Sequence, residues 1–314
     1  MTSSSYATDF PPPVGVSAEA KKMLKAISPA KMAYPGTADK EAWRKLSAMA
    51  NERIRNGYYA GVEDHVEATW TELGGVPVVK ANLRNVPETD IVVFDIHGGA
   101  LLYLGGKALP PVASSTALRT ELTTYSVDYR MPPDHPFPAG LDDCLAAYRA
   151  LVGGFDPAKI AVHGSSAGGN LAAALMFRLK DDGIPLPAAL VLDSPEIDLT
   201  ESGDTFVTLR GIDPMGSLMA INRLYAGNFP LDHPHISPLF GDLREFPPTL
   251  LKSGTRDLFL SNTVRMHRAL LDAGVEAELH IWEAMPHGGF QGAPEDRAVN
   301  LQIRRFLARF TQPH

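Results

Sequence analysis

The chain has 314 residues, 45% of them hydrophobic and 21% charged, which suits one large α/β domain with an appendage. Its formal net charge of −7 argues against nucleic acid or an anionic membrane surface as the main partner. The sequence has no apolar run long enough to span a bilayer, and its start lacks the basic and apolar regions of a signal peptide. We therefore expect no membrane span and a cytoplasmic location.

Helices come first along the chain. A Pro-rich leader is followed by two helical patterns, at residues 17–27 and 38–55, with a break at Pro35-Gly36 between them. No strand signal precedes Val66. We therefore expect residues 1–60 to form a separate N-terminal helical unit.

Strands and helices alternate from Val66 onward. The pair Gly74-Gly75 joins two β-type segments and predicts a hairpin. Eight strands are predicted in all, at residues 66–73, 76–83, 91–96, 123–129, 160–164, 189–193, 249–253 and 278–282. Helical patterns fill the later gaps, at residues 139–151, 169–180, 262–273 and 295–310. This alternation predicts one α/β domain over residues 61–314, with an eight-stranded, mostly parallel sheet flanked by helices.

A long insertion interrupts the alternation at about residues 200–235. It is rich in Gly, Asp and Pro and contains a helical pattern at residues 215–225. Unstructured loops of that length are rare in compact domains, so an insertion here should have a function or a partner. We expect it to form a lid over the strand ends together with the N-terminal helices.

The most informative motif is Gly164-Ser165-Ser166-Ala167-Gly168, which lies between an apolar strand and a helical run of small residues. Gly-x-Ser-x-Gly at such a junction is the elbow that exposes a nucleophilic serine, here Ser166. The sharp turn needs positions nearly free of side chain two residues before and after the serine. The alternative interpretation is a glycine-rich helix start that binds an anion.

A serine nucleophile needs a base and an acid, and other strand ends supply candidates. Ligands of open α/β sheets bind beyond the carboxyl ends of the strands, where His287 and Asp257 are predicted to lie. An imidazole can accept the serine proton, and a carboxylate orients the imidazole. The order serine, acid, histidine favours His287 over His97 as the base. Asp257 is the predicted acid, with three rivals: Asp193, Asp198 and Asp213.

The loop after the third predicted strand offers an oxyanion hole. Gly98, Gly99 and Ala100 are small enough to bring backbone N–H groups near a developing negative charge, and the N–H of Ala167 would complete the hole. His97 is expected to brace this loop. We expect no metal site, since the segment Asp232–His235 lacks a third ligand nearby.

Several motifs together resemble the hormone-sensitive-lipase-like family, the bacterial type IV esterases of the α/β-hydrolase fold. The resemblance covers roughly residues 65–312. It rests on the oxyanion-loop sequence, the Tyr-Arg-x-x-Pro segment, the elbow and a Ser-Pro segment, at residues 97–100, 128–139, 164–170 and 236–239. The loops that carry Asp257 and His287 also fit.

The resemblance implies a serine carboxylic-ester hydrolase of small or medium acyl esters, with a helical cap built from residues 1–60 and the insertion. It implies an acyl-enzyme intermediate and no cofactor. A lactone hydrolase on the same scaffold is the alternative, and relatives of this fold also include peptidases and non-catalytic small-ligand receptors. Dimers joined at a sheet edge occur in the family, so a homodimer stays open.

Three residues depart from the family pattern. Ser165 stands where Asp is usual, Ala100 replaces the last glycine of the oxyanion loop, and Glu196 stands where Trp is frequent. We expect the Glu196 carboxylate to be solvated, with a role in substrate charge preference as the alternative. Tyr129 and Arg130 are expected to be structural in this family.

Overall fold

A computed structural model describes residues 10–28, 33–57, 59 and 61–311. The first nine residues of the predicted Pro-rich leader lie outside this part of the chain. One eight-stranded sheet has the order β1-β2-β4-β3-β5-β6-β7-β8. Its strands are β1 (Val66–Leu73), β2 (Val76–Leu83), β3 (Val92–Ile96), β4 (Thr123–Val127), β5 (Ile160–Ser165), β6 (Ala189–Asp193), β7 (Thr249–Arg256) and β8 (Ala277–Pro286).

The sheet is mostly parallel, as the sequence predicted. Strands β1 and β2 form an antiparallel hairpin across Gly74-Gly75, and β2 pairs antiparallel with β4. Every later neighbour in the order pairs in parallel. Strands β3 to β6 are buried along almost their whole length, because helices cover both faces of the sheet.

The helices are α1 (Ala18–Ala26), α2 (Lys40–Gly57), α3 (Leu109–Thr120), α4 (Ala139–Leu151), α5 (Ala167–Asp181), α6 (Thr205–Thr208), α7 (Met219–Ala226), α8 (Leu260–Asp272) and α9 (Pro294–Thr311). Helices α4, α5 and α8 share one apolar cluster with one face of the sheet. Helices α3 and α9 contact each other and cover the opposite face. Both layers support the strand ends that carry the site.

Helix α3 is absent from the sequence prediction. Its Pro110 and Pro111 lie in the first turn, where a helix tolerates proline because the first N–H groups have no intrahelical partner. Most of the remaining residues of α3 are buried, including Ser114 and Thr116, so the helix lacks an amphipathic pattern. Because α3 is buried on several sides, its sequence lacks the alternation of apolar and polar faces from which a helix is predicted.

The two N-terminal helices have different neighbours. Helix α1 is anchored to α9, because the backbone N–H and the hydroxyl of Ser17 both donate to the Glu295 carboxylate, at 2.7 and 2.8 Å. Helix α2 lies by the segment after β3, where Ser47 donates to the Leu102 carbonyl at 2.8 Å. Trp43 of α2 is fully buried in one cluster with residues of the insertion. Helix α2 therefore shares an apolar cluster with the insertion, whereas α1 is tied to α9.

Within the described residues, no helix is both long and apolar enough to cross a lipid bilayer.

Candidate active site

The elbow at Ser166 has the strained backbone that a nucleophile turn requires. Strand β5 ends at Ser165 and helix α5 begins at Ala167, which leaves Ser166 between them at φ 56° and ψ −121°. A Cβ at Gly164 would overlap the Gly168 carbonyl, and one at Gly168 would overlap the Ile96 carbonyl. Both glycines are therefore demanded by close backbone approach, and the turn pushes the Ser166 side chain out of the strand.

Ser166, His287 and Asp257 form one hydrogen-bonded line. The Ser166 hydroxyl lies 3.0 Å from His287 Nε2, and His287 Nδ1 lies 3.1 Å from Asp257 Oδ1. His287 directly follows β8, and Asp257 directly follows β7. The neutral imidazole that accepts from the serine carries its proton on Nδ1, which donates to the carboxylate. This is the arrangement that activates a serine hydroxyl.

Asp257 is fully buried, and hydrogen bonds from neighbouring groups stabilise its negative charge. The Ser253 hydroxyl donates to Oδ2 at 2.7 Å, and the Phe259 N–H donates to Oδ1 at 2.9 Å. Burial acts to raise the pKa of Asp257, but the charge and hydrogen bond of His287, together with the Phe259 N–H and other hydrogen bonds, leave the pKa below its usual value. Burial acts to lower the pKa of His287, and the Asp257 carboxylate, with the charge of Asp213, reverses this and raises it. The pair therefore favours an ionised acid beside a basic imidazole.

The loop after β3 passes directly against the elbow. A Cβ at Gly98 would lie 2.9 Å from the Ser165 carbonyl oxygen and 3.2 Å from the Ser166 Cβ. The Gly99 carbonyl accepts from Leu102 and Tyr103 N–H groups, at 2.9 and 2.8 Å. Because a trans peptide is planar, the N–H of Ala100 points away from that carbonyl. The N–H of Ala167 belongs to the first turn of α5, where no intrahelical acceptor is available.

A protein-family model described as the α/β hydrolase fold matches residues 93–291, more than half of the chain. The chain belongs to the α/β-hydrolase family. An esterase of Acinetobacter venetianus is 33% identical over 202 residues, which make up 62% of this chain and 66% of the esterase. The chain thus spans about two thirds of the length of this curated relative.

Solved esterase structures are similar to this chain over nearly its whole length. The esterase E25 matches with a TM-score of 0.89 and 33% identity, covering 96% of both chains. An esterase described as a member of the bacterial hormone-sensitive lipase family matches with a TM-score of 0.80 and 30% identity, covering 94% of this chain and 99% of its own. The resemblance of the motifs to the hormone-sensitive-lipase-like esterase family is confirmed, and this α/β hydrolase belongs to that family.

His97 has a bracing position in this hydrolase. Its Nδ1–H donates to the Gly98 carbonyl at 2.7 Å, and its ring stacks on Tyr129 with centroids 4.2 Å apart. The Tyr129 hydroxyl donates to the His97 carbonyl at 2.8 Å. Burial lowers the pKa of His97, which keeps the ring neutral at physiological pH. Arg130 forms a forked ion pair with Asp143 and holds the next segment.

The three rival acids have other partners. Asp193 forms ion pairs with Arg119 and with Lys252, the latter at 3.0 Å. Asp198 pairs with Arg265 at 2.7 Å. Asp213 accepts from backbone N–H groups beside the triad, including that of His287 at 2.9 Å. Asp213 was predicted only as a rival acid, and its bonds to the backbone were not predicted. Ser253 was not predicted as a site residue, although it stands only four residues before Asp257.

The expectation that Glu196 is solvated was wrong. Its side chain is fully buried, and neither carboxylate oxygen has a hydrogen-bond partner within the described part of the chain. Its backbone N–H donates to the Ser166 carbonyl at 3.0 Å, which fixes it beside the elbow. Burial raises the pKa of Glu196 to about 8, and the carboxylates of Glu201 and Asp198 add to the rise, while the charge of His287 opposes it.

The segment after β6 explains this burial. Ile197 and Leu199, on either side of Asp198, are fully buried, and the Asn170 side chain donates to the Glu196 carbonyl at 2.9 Å. Asn222 of the insertion donates to the Leu199 carbonyl at 3.1 Å and so ties the segment to the insertion. The local sequence does not show this burial, because the residues of the insertion that bind this segment come later in the chain.

Proposed function

We propose that this chain is a serine carboxylic-ester hydrolase that acts on small or medium acyl esters through Ser166, His287 and Asp257. The observation that carries the proposal is the line of contacts from the Ser166 hydroxyl to the imidazole, at 3.0 Å, and from the imidazole to the Asp257 carboxylate, at 3.1 Å. Membership of an esterase family supports the same reaction. The chemistry needs no cofactor.

In the first half of the reaction, His287 Nε2 takes the Ser166 proton while the serine oxygen attacks the ester carbonyl carbon. The carbonyl oxygen becomes an oxyanion that the N–H groups of Gly98, Gly99 or Ala100, and Ala167 stabilise. The intermediate then collapses. The ester C–O bond breaks, the alkoxide takes the proton from His287, and an acyl-serine remains.

In the second half, water attacks the acyl-serine while His287 accepts its proton. The second tetrahedral intermediate collapses with return of that proton to the Ser166 oxygen and release of the acid. The Asp257 carboxylate stabilises the imidazolium in both halves without taking its proton. Nothing is oxidised or reduced, and the net reaction is ester plus water to acid plus alcohol.

We further propose that α2 and the insertion at about residues 200–235 form a cap over the site. Trp43 of α2 and Phe206 and Ile221 of the insertion share an apolar cluster with Leu102 and Tyr103, which follow the oxyanion loop. These contacts support a cap seated next to the nucleophile. The anchorage of α1 to α9 favours assigning that helix to the catalytic domain instead.

The test compares two adjacent serines. Ser166→Ala should abolish hydrolysis of p-nitrophenyl butyrate and stoichiometric labelling by a fluorophosphonate, whereas Ser165→Ala should keep both. Circular dichroism checks that each variant is folded. Undiminished turnover in folded Ser166→Ala would reject the assignment, and labelling that follows Ser165 instead would move it to the neighbour. A matched panel of acyl esters and lactones then distinguishes the esterase from the lactone hydrolase.

A further inference from the structure

Asp213 connects three segments around the proposed triad. It lies in the insertion between α6 and α7, and its side chain is fully buried. Its Oδ2 accepts from the backbone N–H groups of Leu258, at 3.0 Å, and of His287, at 2.9 Å. Its Oδ1 accepts from Met215 N–H at 2.6 Å. One carboxylate therefore ties the insertion to both loops that carry the acid and the base.

These bonds fix the backbone next to the reacting side chains. Leu258 directly follows Asp257, and the second donor is the N–H of His287 itself. The imidazole must face a hydroxyl on one side and a carboxylate on the other, and a misplacement of about 1 Å can lower a rate roughly 100-fold. A residue without an acceptor at position 213 would leave these N–H groups buried and unpaired.

The negative charge of Asp213 also acts on His287. Together with Asp257 it raises the pKa of His287 against the effect of burial. Burial and the Asp257 charge raise the pKa of Asp213 itself to about 6, and His287 opposes that rise. The charge of Asp213 therefore adds to that of Asp257 in stabilising the imidazolium that forms when Ser166 loses its proton.

Other charged groups surround this pair of loops. Lys252 on β7 opposes the rise in the His287 pKa, and its ammonium is paired with Asp193 of β6 at 3.0 Å. Glu196, after β6, also interacts with His287, and its raised pKa of about 8 keeps it neutral at pH 7. Among these groups Asp213 combines a negative charge with bonds to the backbone of both loops.

We propose that Asp213 is a positioning residue for acyl transfer, which aligns the loops of Asp257 and His287 and makes correct packing of the insertion a condition for full turnover. In this role Asp213 acts on the position of His287 and of the Asp257 loop and does not contact the substrate. The inference rests on the proposed function, because it concerns the efficiency of that same triad.

The test uses Asp213→Asn, which keeps the size of the side chain but removes the charge and one acceptor. Asp204→Asn is the matched control, because Asp204 is an exposed aspartate of the same insertion. For Asp213→Asn we expect kcat for p-nitrophenyl butyrate to fall about 10- to 100-fold while KM changes less than about 3-fold. The acidic limb of the kcat/KM profile should move to lower pH by roughly half a unit to one unit, because an anion beside His287 is lost. The control should match the unsubstituted enzyme in both respects.

Each kcat is calculated from the concentration of Ser166 that a fluorophosphonate labels at completion. Unfolded protein is then not included in the enzyme concentration. The proposal is overturned if the corrected kcat of Asp213→Asn stays within about 3-fold of the original and the acidic limb does not move. A rise in KM at constant kcat would overturn it too, since that would indicate substrate binding. If the unsubstituted enzyme shows neither labelling nor ester hydrolysis, the proposed function fails instead.

Discussion

Ser253 and Asp257 are joined by a hydrogen bond of 2.7 Å from the serine hydroxyl to Oδ2 of the buried carboxylate. The other oxygen, Oδ1, faces His287 Nδ1 and also accepts the Phe259 N–H. The acid is thus held from both sides. Ser253 lies in β7, so its position is set by the sheet and not by a loop.

We predict that Ser253→Ala lowers kcat for p-nitrophenyl butyrate by about 3- to 30-fold with little change in KM. Loss of one donor to a buried carboxylate removes about 1.5–3 kcal/mol of charge-assisted hydrogen bonding, and part of that loss appears as poorer alignment of Asp257. Ser253→Thr, which keeps the hydroxyl, is the comparison. Equal rates in all three proteins would show that Ser253 has no part in holding the acid.

Much of this site could be predicted from strand ends. Ser166, Asp257 and His287 each follow an apolar strand, and parallel strands bring their carboxyl ends to one edge of the sheet. The hairpin across Gly74-Gly75 was equally visible, because a pair of glycines separates two alternating segments. Local patterns were sufficient in these cases.

The other features depend on contacts between distant parts of the chain. Asp213 reaches His287 across 74 residues, and no local pattern encodes that bond. Glu196 is buried in a segment that is hydrogen-bonded to an insertion later in the sequence, so its local sequence was misleading. Helix α3 was missed because it is buried on several sides. For Glu196 and for α3, burial in the folded protein made the local sequence pattern uninformative.

The burial of Glu196 predicts how stability depends on pH. Its pKa rises from 4.5 to about 8 in the folded protein, so between these values the folded state keeps a proton that the unfolded chain releases. This group therefore destabilises the fold progressively as pH rises from about 4.5, and its effect is complete above about 8. Glutamine has the shape of the protonated acid and does not titrate.

Glu196→Gln should therefore gain free energy of unfolding relative to the original protein as pH rises from 5.5 to 8.5, by up to a few kcal/mol, since one pKa unit corresponds to about 1.4 kcal/mol. Urea unfolding at both pH values measures the difference. Glu67→Gln, at an exposed position on β1, makes the same change in charge and should show no such gain. A difference between Glu196→Gln and the original protein that is the same at both pH values would contradict the assignment of a raised pKa.

Two adjacent positions of the oxyanion loop can be tested by exchanging glycine and alanine, with Gly99→Ala at one position and Ala100→Gly at the next. Gly99 has φ 108°, and a Cβ there would overlap the Tyr103 carbonyl, so Gly99→Ala must displace the loop. Ala100 has φ 52°, a left-handed conformation that glycine adopts without strain. If Ala100 contributes only its N–H, Ala100→Gly restores the residue usual in the family and should keep kcat within about 3-fold.

Gly99→Ala should instead lower kcat by about 100-fold or more, because displaced N–H groups no longer meet the developing oxyanion. Steady-state kinetics with p-nitrophenyl butyrate measures both effects. Stoichiometric labelling by a fluorophosphonate at completion confirms that Gly99→Ala is folded, since the loop variant retains Ser166 and His287. Full activity of labelled Gly99→Ala would mean that the oxyanion is stabilised elsewhere, because a loop moved by a clash with the Tyr103 carbonyl could not still supply its donors.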